Sequence, residues 1–157
     1  MRKAFRPWHA MNSCLPKNLG RHIAKLKSEG FADYRVFPEG VREVYGPELF
    51  IEPFIGNNIK VVGFDPLAIP AERAAIERAR DSDDVAISGK LTLAQDSGTE
   101  VPGFVMYVPI YQRGELQGDI AARRAHCWAT RLKSCRRCVK CGTRWRTRAM
   151  LLSIAKN

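Results

Sequence analysis

The chain has 157 residues, enough for one ordinary domain or two small lobes, and it contains no apolar run of the roughly eighteen residues needed to cross a membrane. Its net charge of +10 is uneven: residues 1–30 carry +6, residues 31–120 carry −7 and residues 121–157 carry +11, so total charge gives no case for nucleic acid in the acidic middle. The five cysteines are one at Cys14 and four crowded between Cys127 and Cys141, which excludes a disulfide framework.

The basic start, residues 1–20, lacks the continuous apolar core of a secretory signal and reads as an irregular segment. As written, such a chain is expected to stay in the cytoplasm. Asn18 is placed to cap a helix whose Leu19, Ile23 and Leu26 form one apolar stripe and which ends at Gly30. His22 lies on this helix with no other metal ligand at helical spacing, so it reads as a packed or solvated histidine. Asp33 to Phe37 reads as a short strand stopped by Pro38-Glu39-Gly40.

Two apolar runs follow, Leu49 to Phe54 and Ile59 to Phe64, parted by Gly56-Asn57-Asn58. Both read as strands, with Pro53 making the first an edge strand or ending it there, and with the Gly-Asn-Asn trio as a tight reversal. Asp65 opens a turn and Pro70 suits the first position of a helix. Ala71, Ala74, Ala75 and Ala79 predict a small-residue face on it, with Arg73 and Glu77 paired at i, i+4. Asp81 to Asp84 puts acids at the wrong pole of that helix and reads as a solvated turn.

The stretch from Val85 to Tyr111 organises the rest. Val85 to Ala94 alternates imperfectly, as a half-buried strand does, and Phe104 to Tyr111 is richer in β-branched and aromatic residues, as a deeper one is. Gln95 to Pro102, with Ser97-Gly98 and Pro102-Gly103, supplies the turn, so the two strands should pair antiparallel. Helices and strands in this order make an α+β fold with an antiparallel sheet covered by the Pro70–Asp81 helix.

Read together, EGFADYRVFPEG, LFIEPFIGNN, VGFDPLAIPAERAAIERARDS, AISGKLTLAQ and GFVMYVPIY resemble the CHASE domain, over roughly Arg21 to Ala125. That family is the extracellular or periplasmic input domain of membrane-bound histidine kinases and diguanylate cyclases, including the plant cytokinin receptors. The resemblance implies a sensor rather than an enzyme, built from a long first helix and PAS-like α/β lobes, incomplete in this chain. It implies a homodimer, a small-molecule ligand and a cytoplasmic output domain, and it calls for no cofactor. The positions matching the receptor pocket are Glu72, Ser88, Leu93, Ala94 and Tyr107. Glu72 stands where the family carries a shorter acid and Tyr107 where it carries a small hydroxyl residue, so the cytokinin pocket is not preserved. By their own chemistry, Glu72 is equally an ordinary first-turn acid and Tyr107 a core aromatic with its hydroxyl at the rim. The three histidines, His9, His22 and His126, offer no nucleophile–base pairing.

Residues 126–157 change character and admit two readings. Cys127, Cys135, Cys138 and Cys141, with His126 as a substitute, are thiolate and imidazole donors suited to tetrahedral zinc, and the surrounding arginines suit nucleic acid. Successive x2 spacing, however, makes Cys138 belong to both ligand pairs. The alternative is a tail translated out of frame, or disordered. His is CAY, Cys is TGY and Trp is TGG, so from the third base of His126 the triplets read Leu-Leu-Gly for any synonymous codons. The following triplet, NAC, encodes Tyr, His, Asn or Asp. The family typically continues an AxRRA segment, here Ala121 to Ala125, into Leu-x-Gly-Tyr. The out-of-frame reading is preferred, and it predicts a core short of its last strands, exposed apolar edges and poor solubility.

Overall fold

A computed structural model describes residues 9–12, 16–52, 54–94, 98, 102–111 and 118–136, with backbone alone for 9–12 and 128–136. The first elements are strand β1 (His9–Asn12) and helix α1 (Pro16–Ser28). The helix starts two residues before the expected cap: Pro16 takes the first position, where a missing N–H costs nothing, and Asn18 lies inside the first turn. Leu19, Ile23 and Leu26 are half-buried, and the chain leaves the helix through Gly30 at φ +104°. His22 Nε2 and the Tyr34 hydroxyl are 2.9 Å apart with the rings edge-on, so this histidine is packed, and burial with Lys25 nearby lowers its pKa.

The segment expected as a strand at Asp33 to Phe37 contributes a single parallel bridge, Phe37 to Phe64. Strand β2 is short (Glu48–Phe50) and lies at the edge of the sheet, as the first apolar run predicts; Pro53 lies outside the described residues. The second run is a correction. Ile59 to Phe64 is not a strand; a 3₁₀ helix covers Gly56–Val61 and a turn follows. Gly56, at φ +55°, opens this 3₁₀ helix, which takes in Asn57 and Asn58 and replaces the tight strand-to-strand reversal expected there. A short apolar run has no period of its own to separate strand from helix, and here Val61 goes inward while Ile59 stays exposed.

Three segments are then laced together. Phe37 N–H donates to Gly63 O at 2.9 Å, Gly63 N–H to Glu48 O at 2.8 Å, and Glu48 N–H to Phe64 O at 2.8 Å. The crossing is close enough that a Cβ on Gly63, which sits at φ +90°, would stand 2.1 Å from the Arg35 carbonyl oxygen.

Asp65 behaves as the turn residue its position suggests. Its carboxylate accepts from Leu67 N–H at 3.0 Å, capping a 3₁₀ turn (Pro66–Ala68), and from Gly46 N–H at 3.1 Å. Helix α2 (Pro70–Ser82) starts on Pro70 and ends on Asp83 at φ 55°. Its inward face is Glu72, Ala75, Ile76 and Ala79, whereas Ala71 and Ala74 are exposed, so the small-residue face is narrower than the alanine pattern suggests. Arg73 Nε donates to Leu67 O at 2.9 Å and ties the helix to the 3₁₀ turn.

The expected antiparallel pairing around Val85 to Tyr111 is present. Strands β3 (Ala86–Ile87) and β4 (Leu91–Thr92) both run against the ten-residue β5 (Pro102–Tyr111), with Ala86 opposite Tyr107 and Leu91 opposite Gly103. Ser88-Gly89-Lys90 interrupts the first arm; most of the predicted turn, including Ser97, lies outside the described residues. On its other side β5 pairs with β6 (Cys127–Arg136), which follows α3 (Ile120–His126), and the sheet continues through β1 to β2. The architecture is α+β with an antiparallel sheet. Ala75, Ile76 and Ala79 of α2 pack on Ala86, Leu93, Val105 and Tyr107 as the main core, while Ile51, Val61 and Phe64 form a second cluster. β1 lies within the 1–20 segment and β6 within the 126–157 tail; Cys138, Cys141 and residues 142–157 lie outside the described residues.

Candidate functional site

The main core contains a polar contact. Glu72, in the first turn of α2, is 4 % exposed, and Tyr107, in the middle of β5, is fully buried. The Tyr107 hydroxyl donates to Glu72 Oε2. Glu48, at the start of β2 and 5 % exposed, is near enough for its charge to act on both partners. Helix and sheet are therefore joined by polar groups where apolar packing alone would be simpler.

Three influences act on the Glu72 carboxyl. Burial opposes its ionisation most strongly, the hydrogen bond from Tyr107 favours the carboxylate, and the charge of Glu48 opposes it again. Burial wins, and the pKa is pushed up from 4.5 to about 7. Tyr107 is driven upward too, first by burial and then by the charge of Glu72, so the phenol keeps its proton.

The other sequence-selected positions lie around this contact. Ser88 bridges the gap between β3 and β4: its N–H donates to Val105 O at 2.8 Å, and its hydroxyl accepts from Val105 N–H at 2.9 Å and donates to Gly89 O at 3.0 Å. Its hydroxyl thus stands two residues along β5 from Tyr107, engaged with backbone. Leu93 is buried in the same core as Tyr107, whereas Ala94 packs against the second cluster. Glu72, Ser88, Leu93 and Tyr107 are brought together, and Ala94 faces the neighbouring core.

Sequence reasoning missed Glu48. An acid at the head of an apolar run usually marks a solvated strand end, and only the lacing to Gly63 and Phe64 draws this one inward. It also missed Arg42, a half-buried residue whose Nη1 lies 3.4 Å from Oδ2 of the buried Asp65 and whose guanidinium covers the Tyr45 ring. Burial raises the Asp65 pKa against the opposing influence of Gly46, Leu67 and Arg42.

The far end of α2 is held by a second polar assembly. Arg124 donates to both oxygens of Asp81, at 3.1 and 2.6 Å, Arg80 donates to the same carboxylate at 2.7 Å, and Arg123 Nε donates to the Asp81 carbonyl at 2.9 Å. These cations hold the Asp81 carboxyl well below the usual carboxylate range. Among the described residues, no three His, Cys, Asp or Glu side chains converge as metal ligands, and no helix is long and apolar enough to cross a membrane.

A family model for the CHASE domain matches residues 8–132, most of the chain. The chain belongs to the CHASE domain family. No curated protein sequence matches it as a relative. The CHASE match reaches past both limits of the motif resemblance, taking in β1 and the first residues of β6. CHASE domains are sensory domains, typically extracellular or periplasmic, so the chain has a sensory input role. The α2–β5 contact of this CHASE domain holds two of the five sequence-selected positions, Glu72 and Tyr107, bonded to each other.

Proposed function

We propose that this CHASE domain is the ligand-binding input of a membrane-bound signalling receptor, facing the extracellular or periplasmic side. It would recognise a small molecule through Glu72, Ser88, Leu93, Ala94 and Tyr107. The observation that carries the reading is the convergence of Glu72, Ser88, Leu93 and Tyr107 from α2, β5 and the strands between them on one core. Small-molecule sites combine an apolar wall with a few placed polar groups, and this core has that composition.

The replacement of a small hydroxyl residue by Tyr107 supports a ligand different from an adenine. The phenol fills space at the carboxyl of Glu72 and supplies the hydrogen bond a ligand donor would otherwise make. A ligand must either displace that hydroxyl or bind beside it. Signalling then requires that the ligand bind one arrangement of α2 and β5 more tightly than another. The family further supports a homodimer and a cytoplasmic kinase or cyclase as the output partner.

The test is a thermal-shift screen of the full chain against amino acids, organic acids, amines and nucleobases. At least one class should raise the melting temperature of the wild type, with the shift lost in Glu72→Gln and in Leu93→Ala. A shift of equal size in both variants would place binding elsewhere, and no shift from any class would remove the small-molecule reading.

A further inference from the structure

The two ends of α2 are held in different ways. At the first turn buried Glu72 meets buried Tyr107; at the last turn the contacts are ionic and lie near the surface. There the hydroxyl of Tyr111, at the end of β5, donates to Arg80 O at 2.6 Å, and Arg123 Nε of α3 donates to Asp81 O at 2.9 Å. The Asp81 carboxylate accepts from both ends of the Arg124 guanidinium, at 3.1 and 2.6 Å, and from Arg80 Nε at 2.7 Å. We propose that Asp81, Arg123 and Arg124 are positioning residues of the sensor: they make α3 follow α2, so that a displacement at Glu72 is passed to α3 and the start of β6. This rests on the reading of the α2–β5 contact as the sensory site and adds the route by which that site is read out.

Apolar packing does not decide where α3 sits, since none of its residues from Ile120 to His126 is buried. Asp119 caps its first turn by accepting from Ala122 N–H at 2.7 Å, but a cap of this kind is local and does not orient a helix. The bonds to α2 do orient it. Their main effect is not on stability, because the Arg124 side chain is 57 % exposed and that of Asp81 22 %, and ion pairs open to water contribute little. What a two-point grip of guanidinium on carboxylate fixes is geometry, because the paired donors and acceptors must face each other in a fork. The bond from Arg123 to the Asp81 carbonyl then restrains rotation about that axis.

Between its two ends α2 is a single rod of thirteen residues, roughly 20 Å long. Its buried middle is Ala75 and Ala79 around Ile76, small side chains that interlock with the sheet less than larger ones do. A shift at the first turn therefore carries to the last. At the receiving end the sheet is irregular. The register of β5 against β6 breaks between Ile110 and Tyr111, beside the Tyr111 bond to α2 and at the point where α3 gives way to β6. A break of that kind lets the start of β6 shift while the pairing from Gly103 to Ile110 is kept.

The experiment is two-dimensional NMR of the full chain without ligand, with Tyr107→Phe as the disturbance at the first turn of α2, a change that keeps the ring and removes the bond to Glu72. In the otherwise wild-type chain this substitution should shift the amides of α3, Ile120 to His126, as well as those of Glu72 to Ile76. In a chain carrying Asp81→Ala, the response of α3 to Tyr107→Phe should fall by more than half, while the response of Glu72 to Ile76 is retained. Should Asp81→Ala fail to fold, Arg124→Lys, which keeps the charge and loses the two-point grip, decides by the same criterion. An undiminished α3 response in the clasp variant would overturn the proposal, because the coupling would then run along β5. An α3 that does not respond to Tyr107→Phe in the wild-type background would overturn it as well. Because no ligand is used, failure here leaves the sensory reading standing, and failure to find a ligand leaves this result standing.

Discussion

The hydroxyl of Tyr107 on β5 donates to the carboxyl of Glu72 on α2, thirty-five residues away in the chain, and both groups are buried. That contact couples the helix to the sheet through a group whose charge depends on pH. The coupling makes the stability of the fold and the state of the candidate site one quantity.

The sign of the pH dependence follows from the direction of the shift. Glu72 holds its proton up to about pH 7 in the folded chain and to about 4.5 otherwise, so the folded state binds more protons in between. Its contribution to stability is fully present below 4.5 and is lost as pH rises through about 7. The whole change is on the order of 3 kcal/mol. Urea midpoints measured at pH 5 and pH 8 should differ in that direction, and Glu72→Gln should remove most of the difference.

Tyr107→Phe removes a hydroxyl that donates to Glu72 and favours its ionised form. The carboxyl should then keep its proton to higher pH than about 7, and the chain should lose about 1–2 kcal/mol at pH 6. Carbon-13 titration of the Glu72 carboxyl reads the first effect, and urea unfolding reads the second.

Arg42→Ala leaves the buried carboxylate of Asp65 with only its two backbone donors. Removing one partner of a buried ion pair costs about 3–5 kcal/mol, more than replacing both. The double variant Arg42→Met, Asp65→Asn should therefore melt higher than Arg42→Ala alone.

Gly63→Ala forces a Cβ against the Arg35 carbonyl at a backbone angle that side chains rarely adopt. The expected loss is about 2–4 kcal/mol. Since Gly63 also donates to Glu48, the substitution should shift the Glu72 titration midpoint as well as the melting temperature.

What could be seen in the sequence was local. Pro70 announced the start of α2, and the β-branched run at Phe104 to Tyr111 announced the strand that anchors the sheet. The Ile59 to Phe64 run misled because its apolar residues serve a 3₁₀ turn, and the alanines of α2 overstated the packed face because Ala71 and Ala74 look outward. Glu48 and Arg42 were invisible because the contacts that draw them in, to Gly63 and Phe64 for Glu48 and to Asp65 for Arg42, come from segments distant in the chain. Glu72 and Tyr107 were reached only through the motif resemblance; nothing in their own neighbourhoods marks them as partners.

The most direct test of the sensory site is amide chemical-shift mapping by two-dimensional NMR, using the compound class that gives the largest thermal shift. Perturbations should centre on the amides of Glu72, Arg73, Ser88, Leu93 and Val105 to Val108. Perturbations centred instead on α1, or on α3 and β6, would contradict the placement of the site between α2 and β5.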